Sequence, residues 1–456
     1  MTVGESEIAS KNCRNAMVSV ILLLALFIAL ETFAIFRILL KLKLNAAMSA
    51  VREAGYPITC DELEAWYSIP DDVENAADTF FKAFASFKQW DETKREGIPL
   101  VGLADLPTRT EPLSDDTRTL LAEYIADHNE TLTLLHAAAK IEHCRYPVNF
   151  TADVASMQPH FHDLRWACFL LNLESFLHVE NGEVETARRS VLSGFGLTLS
   201  LTKEPVLISQ LVRMGSTSRH ISTLEHLINR VELTDEQLNG LFQCLGKVER
   251  AADLSRAFAG FRCMTLREIR TATSVDPAYM YFLIPESAEF LYSAIGFMDM
   301  NAVLFLDIMN DYMEALQLPY PQRLKVSDAI EARAESVPLI HALAYEVVPG
   351  LSRVITIETR VIAHLRTARV GLAVRRYRLD AGKLPDSLEK LVPVYIDAIP
   401  VDPFDGNALR YKKRGTGFVI YSIGEDLSDD GGTEKPKKYE ERKSNPNWDV
   451  TFIVEQ

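Results

Sequence analysis

The sequence predicts a mainly α-helical protein that ends in a small α+β unit, and three observations carry that prediction. An apolar run fills residues 16–36. Helical periodicity with short breaks dominates from residue 41 to about 345, and a long helix followed by turn-bounded, β-branched segments fills residues 346–456. The organisation expected is an N-terminal tail (1–15), a transmembrane helix (16–40), an irregular α-helical domain (41–345) and a C-terminal module (346–456). The last two are each expected to hold a core, with a seam at residues 340–353, beside Pro338 and Pro349-Gly350.

With 48% hydrophobic and 24% charged residues in a chain of 456, the composition is that of a globular protein long enough for two or three domains. The formal charge of −15 argues against nucleic acid as a partner, because phosphate binding needs clustered Lys and Arg. Cys13, Cys60, Cys144, Cys168, Cys244 and Cys263 form no C-x-x-C pair and fall at no zinc-ligand spacing. Ordinary buried thiols are expected.

The apolar run, AMVSVILLLALFIALETFAIF, is about as long as a helix needs to cross a bilayer, and its one charged residue is Glu31, expected near the headgroups. It continues into RILLKLKL with no small-residue cleavage site, which favours an uncleaved anchor over a signal peptide. Lys11 and Arg14 precede it while Arg37, Lys41 and Lys43 follow, so the charge count alone does not orient it. Long domains translocate largely regardless of charge, and the body is expected outside the cytoplasm.

Past the anchor an amphipathic helix ends at Gly55. Thr59 and Glu62 have capping-box spacing, Pro70 ends the short helix they open, and Asp71 or Asp72 is expected to cap the next. Ser114 is expected to cap one long helix running towards Lys140. Two apolar-faced helices meet at Asn181-Gly182 in a tetratricopeptide-like hairpin, but no 34-residue period is legible. The aromatic, Met-rich stretch from Tyr279 is interrupted by Glu286, Glu289, Asp299 and Asp307, too often to span a membrane, and reads as core-facing helix.

The last long helix carries Val354, Ile357, Val361, Leu365, Ala368 and Leu372 as one apolar stripe and ends at Gly382. Arg360, Arg366, Arg369, Arg375 and Arg376 on its other faces read as solvated or paired within the chain. Pro385 and Asp386 open a short helix ended by Pro393, Leu409 to Lys412 can pair with Phe418 to Ser422, and Asp449 to Val454 alternates as a third strand.

The segments YRLDAGKLP, SLEKLVPVYIDAIPVDPF, LRY and YSIGED, in that order over about the last hundred residues, resemble the C-terminal part of the major pseudopilin of type II secretion systems. The resemblance implies a long helix on a short antiparallel sheet, a calcium-binding loop after the YSIGED strand, and a position outside the cytoplasmic membrane. Asp426 matches the family's ligand aspartate. The whole-chain layout, with IPDDVENAAD, is also similar to bacterial membrane-anchored proteins carrying this module. The anchor departs from the pseudopilins: Asn15-Ala16-Met17 stands where they have a peptidase site, and the glutamate comes at position 31.

The loop chemistry agrees with a cation. Glu425, Asp426, Asp429 and Asp430 crowd a turn closed by Gly431-Gly432, and a hard cation with oxygen ligands at roughly 2.3–2.6 Å relieves their repulsion. Asp426, Asp429 and Asp430 are the expected Ca2+ ligands, the last two by charge and proximity. A catalytic motif is absent: Ser200/Lys203 and Ser387/Lys390 match S-x-x-K without companion motifs, and HFHD (residues 160–163) reads as surface histidines rather than a metal site. The function expected is a non-enzymatic, single-pass envelope scaffold that meets the membrane and other envelope proteins. The alternative is an envelope hydrolase with a site scattered among the helices.

Overall fold

The computed structural model describes residues 3–106, 108–152, 159–271, 295–336, 348–436 and 448–455. Helix α1 (Val3–Glu53) runs unbroken because no proline interrupts it, and Gly55, at φ +81°, ends it. Its residues 16–36 are exposed, and its most apolar stretch has a mean hydropathy of 2.6, so it is long and apolar enough to cross a membrane. The same helix then becomes amphipathic. Leu44, Met48 and Val51, at steps of four and three, are buried in the body's core.

The next elements are α2 (Cys60–Trp66), α3 (Ala76–Ala85), α4 (Glu92–Arg95), α5 (Asp115–Asp127) and α6 (Asn129–Ala138). Thr59 caps α2 as expected, and the Glu62 carboxylate takes the amide of Ile58 at 2.9 Å. The cap of α3 is Asn75, not Asp71 or Asp72. The reason is distant: Asn75 also takes the Arg145 amide at 2.9 Å and donates to its carbonyl at 3.0 Å, tying two segments together. Ser114 caps α5, but the single helix expected to reach Lys140 breaks at His128, whose buried ring bonds the carbonyls of Tyr124 and Lys88.

Helices α7 (Pro159–Glu180) and α8 (Val184–Leu199) form the hairpin expected at Asn181-Gly182, with Gly182 at φ +73°. They are followed by α9 (Leu207–Arg230), α10 (Asp235–Arg250), α11 (Ser255–Thr271), α12 (Phe297–Ala315), α13 (Tyr320–Glu335) and α14 (Leu351–Ala381). The start of the aromatic, Met-rich stretch, with Glu286 and Glu289, lies outside the described residues. Its later part is α12, core-facing as expected, and Asp299 and Asp307 pair with Arg37 (3.3 Å) and Lys43 (3.6 Å) of α1.

After α14 come a 3-10 turn (Leu388–Leu391) and strands β1 (Arg410–Arg414), β2 (Gly417–Ser422) and β3 (Val450–Val454), antiparallel in the order β1-β2-β3. Tyr411 faces Ile420, and Ile420 faces Phe452. Alternation leads one to expect one buried face on β2, yet all its residues are buried. One face packs on α14, and the acidic loop folds over the other, where Val419, Tyr421 and Ile453 cluster under Gly432.

Helix α14 is buried on more than its predicted stripe because it lies between sheet and helical body. A single apolar core runs from Leu44 through Leu224, Phe258 and Phe305 to Leu365, Leu372, Phe418 and Phe452, so it does not divide at 345/346. A second core gathers α3, α5, α6 and α7 around Phe80, Leu121, Leu135 and Phe176. The α14 arginines pair within the chain: Arg366 and Arg369 each reach Glu249 at 2.7 Å, Arg376 reaches Asp235, and Arg375 reaches Glu232.

Candidate functional site

Strand β2 leaves the sheet over Asp402. That carboxylate is fully buried and accepts from the Ser422 hydroxyl (2.7 Å) and the amides of Ile423 and Phe404, with Arg410 completing its shell. Gly424, at φ +76°, then turns the chain out, a backbone conformation that costs a side-chain-bearing residue extra.

The four acids that follow are separated rather than gathered. Glu425 turns back to α14 and pairs with Arg353 (2.8 Å) and Arg360. Asp426 accepts from the Ser428 amide at 3.1 Å, and Asp429 accepts from the Gly431 amide at 3.0 Å with Arg410 3.6 Å away. Their repulsion is thus met by arginines and backbone amides. Asp430 differs: its Oδ2 is buried with no hydrogen-bond partner. Beside it lies Asp449, whose alternation with its neighbours marks it only as the start of a strand. Asp449 accepts from the amides of Asp430, Gly432 and Thr433, and burial raises its carboxyl above the usual range against those amides.

Asp426, Asp429 and Asp430 are therefore not brought to one point. Among the described residues, no group of three or more His, Cys, Asp or Glu side chains is placed to hold a metal ion. Asp430 Oδ2, beside Asp449, is left without a hydrogen bond, whereas Asp426 and Asp429 each hold a backbone amide.

The remaining sequence candidates also separate. His160 is buried, not a surface residue, stacked on Tyr146 and 3.2 Å from Glu204, whereas His162 is exposed and accepts the Trp166 indole N–H at 2.7 Å. Residues two apart on a helix point to opposite sides, so the two imidazoles cannot share a metal. Ser200 is buried against Tyr146 while Lys203 is exposed, and Ser387 is half-buried while Lys390 is exposed. Glu31 lies exposed on the apolar part of α1. Cys60, Cys144, Cys168 and Cys263 are buried thiols, and Cys244 is half-buried.

One constellation has no local sequence signal. The His136 ring accepts or donates at both nitrogens, 2.8 Å from Ser193 Oγ and 2.9 Å from Glu174 Oε2, and Ser190 donates to the same carboxylate at 2.7 Å. Ser193, His136 and Glu174 come from α8, α6 and α7, and a serine–imidazole–carboxylate chain is the arrangement that activates a hydroxyl nucleophile. All three are buried. The network satisfies polar groups between helices.

Comparison with family models finds no match, and neither the curated proteins nor the solved structures yield a significant one.

Proposed function

We propose that this protein is a single-pass, membrane-anchored scaffold of the bacterial envelope, non-enzymatic, with its bulk outside the cytoplasmic membrane and with envelope proteins as partners. The observation that carries the proposal is the continuity of α1, whose apolar length leads without a break into the buried positions Leu44, Met48 and Val51. A cleavable signal would end at a small-residue site; here the end of the helix is part of the core, and Arg37–Asp299 and Lys43–Asp307 join it to α12. A body held rigidly at a bilayer suits a scaffold. The test has two arms. A periplasmically active reporter fused to the C-terminus is expected to be active, and cross-linking capture of the tagged full-length chain from membranes is expected to recover envelope proteins. Activity of a cytoplasmic reporter alone overturns the topology.

The module's likeness to pseudopilins extends the proposal to secretion-related partners and to calcium at the loop. The unpartnered Asp430 oxygen beside Asp449 supports a cation there, with loop carbonyls as further ligands. Calcium supplies positive charge that ties the loop to the sheet face. At about a hundred times its dissociation constant it stabilises the native state by roughly 2.7 kcal/mol. Thermal melting of the full chain in calcium and in chelator is expected to differ, and Asp430→Asn is expected to abolish the difference. An identical midpoint in chelator overturns calcium binding and leaves the topology result untouched.

The hydrolase reading keeps one specific observation, the Ser193–His136–Glu174 chain. A fluorophosphonate probe that labels the wild type and not Ser193→Ala would establish it over the scaffold.

A further inference from the structure

Helices α7 and α9 part to form an open cavity of about 380 Å3, a size ordinary for a small-molecule site. Phe169 and Val212 give it apolar wall, and Ser216 and His162 add polar groups. The His162 Nε2 accepts from the Trp166 indole, which can only donate, so Nδ1 keeps the hydrogen and the neutral ring offers a donor.

Arg165 and Arg219 also line it, their guanidinium carbons 5.3 Å and 4.8 Å from the Phe169 ring centre. Among the described residues neither has a carboxylate within ion-pair distance. That is unlike Arg353, Arg366, Arg369, Arg375 and Arg376 of α14, each of which has found an acid in a chain carrying −15. Both guanidinium groups lie within cation–π range of one ring, and no carboxylate among the described residues neutralises either of them. Exposed Arg165, half-buried Arg219 and the apolar wall are complementary to a dianion with an apolar body.

We propose that this cavity binds a small phosphate monoester whose organic part is apolar, the phosphate bridging Arg165 and Arg219 and the organic part lying on Phe169 and Val212. A phosphate monoester carries close to two negative charges at neutral pH and matches two guanidinium forks, whereas a carboxylate supplies one charge. Cys168, whose thiol burial pushes up to about 11, lies in the wall as an inert group.

The probe is phenyl phosphate, titrated calorimetrically into the full-length chain in phosphatidylcholine nanodiscs, with empty discs as baseline. Saturable binding is expected, weakened at least tenfold by Arg165→Gln and by Arg219→Gln in variants whose melting matches the parent, and weakened as pH falls below about 6, where the phosphate loses a charge. Benzoate and inorganic phosphate are each expected to bind at least tenfold more weakly than phenyl phosphate. Phosphatidate in the disc that displaces phenyl phosphate identifies a lipid source, and no displacement identifies a soluble ester; both uphold the site. No binding by the parent, equal binding by both glutamine variants, or parity with benzoate or inorganic phosphate overturns it.

Discussion

Glu225 reaches from α9 to the outer edge of β3, where its carboxylate takes the amide of Ile453. Asn229, one turn on, donates to the Ile453 carbonyl at 2.8 Å and accepts from the Glu455 amide at 2.7 Å. Two side chains thus do what a fourth strand would, covering an edge that would otherwise invite pairing. Burial pushes the Glu225 carboxyl up to about 7; Arg109 and the Ile453 amide pull it down, and Glu434 and Glu455 push it further up. A carboxyl raised in the folded state binds its proton more tightly there. The stability it contributes is full below the ordinary glutamate value and is lost as pH rises towards about 7. Glu225→Gln keeps the acceptor and removes the titration. Between pH 5 and pH 8 the parent is expected to lose on the order of 3 kcal/mol relative to the variant. Urea midpoints that move in parallel for the two proteins would refute this. The buried pair His136–Glu174 gives a second test. His136→Leu is expected to cost about 3–5 kcal/mol, and adding Glu174→Met to recover most of it, as read from a double-mutant cycle that includes Glu174→Met alone. A double-variant cost equal to the sum of the two single costs would show that the pair is not coupled.

At the scale of elements, α14 meets the sheet at Gly371, where a Cβ would stand 2.4 Å from the Phe452 ring, and Phe452 is wholly buried. The helix gives up about 1 kcal/mol of propensity there to let the strand close. Gly371→Ala regains that and incurs overpacking of about 1–3 kcal/mol, so net destabilisation is expected. Gly215 in α9 has nothing within 4 Å of its would-be Cβ, and the same change there is expected to stabilise by up to about 1 kcal/mol. Opposite shifts in melting midpoint are the result to look for, and shifts of one sign would refute the contact argument. Much of this level was readable in advance: Thr59 and Ser114 as caps, Gly55, Gly182 and Gly382 as exits, and three strands at their places. The break at His128 was not, because its cause is a bond to Lys88 on another segment.

For the whole molecule, α14 is shared property. Its apolar residues belong to the core that also holds the end of α1, and its arginines bind α10 on one side and Glu425 of the loop on the other. Unfolding the sheet strips cover from the body, so the two are expected to unfold together. Single-tryptophan variants retaining Trp166 in the body or Trp448 beside β3 are expected to report coincident urea midpoints, and separated midpoints would establish two independent cores.

What the sequence determined by itself is local in origin: the apolar span, helix periods, caps, glycine turns and the acidic character of the loop all depend on residues within a few positions of each other. The tertiary structure decided which groups meet. Nothing near Glu425 in the chain announces Arg353 and Arg360, and nothing near Asp430 announces Asp449. Ser193, His136 and Glu174 converge from three helices. Carboxylates in an acidic loop look alike in one dimension. In the fold Glu425 goes to arginines some seventy residues away, Asp426 and Asp429 go to amides two residues on, and Asp430 is left beside Asp449, a placement that packing of distant segments decides.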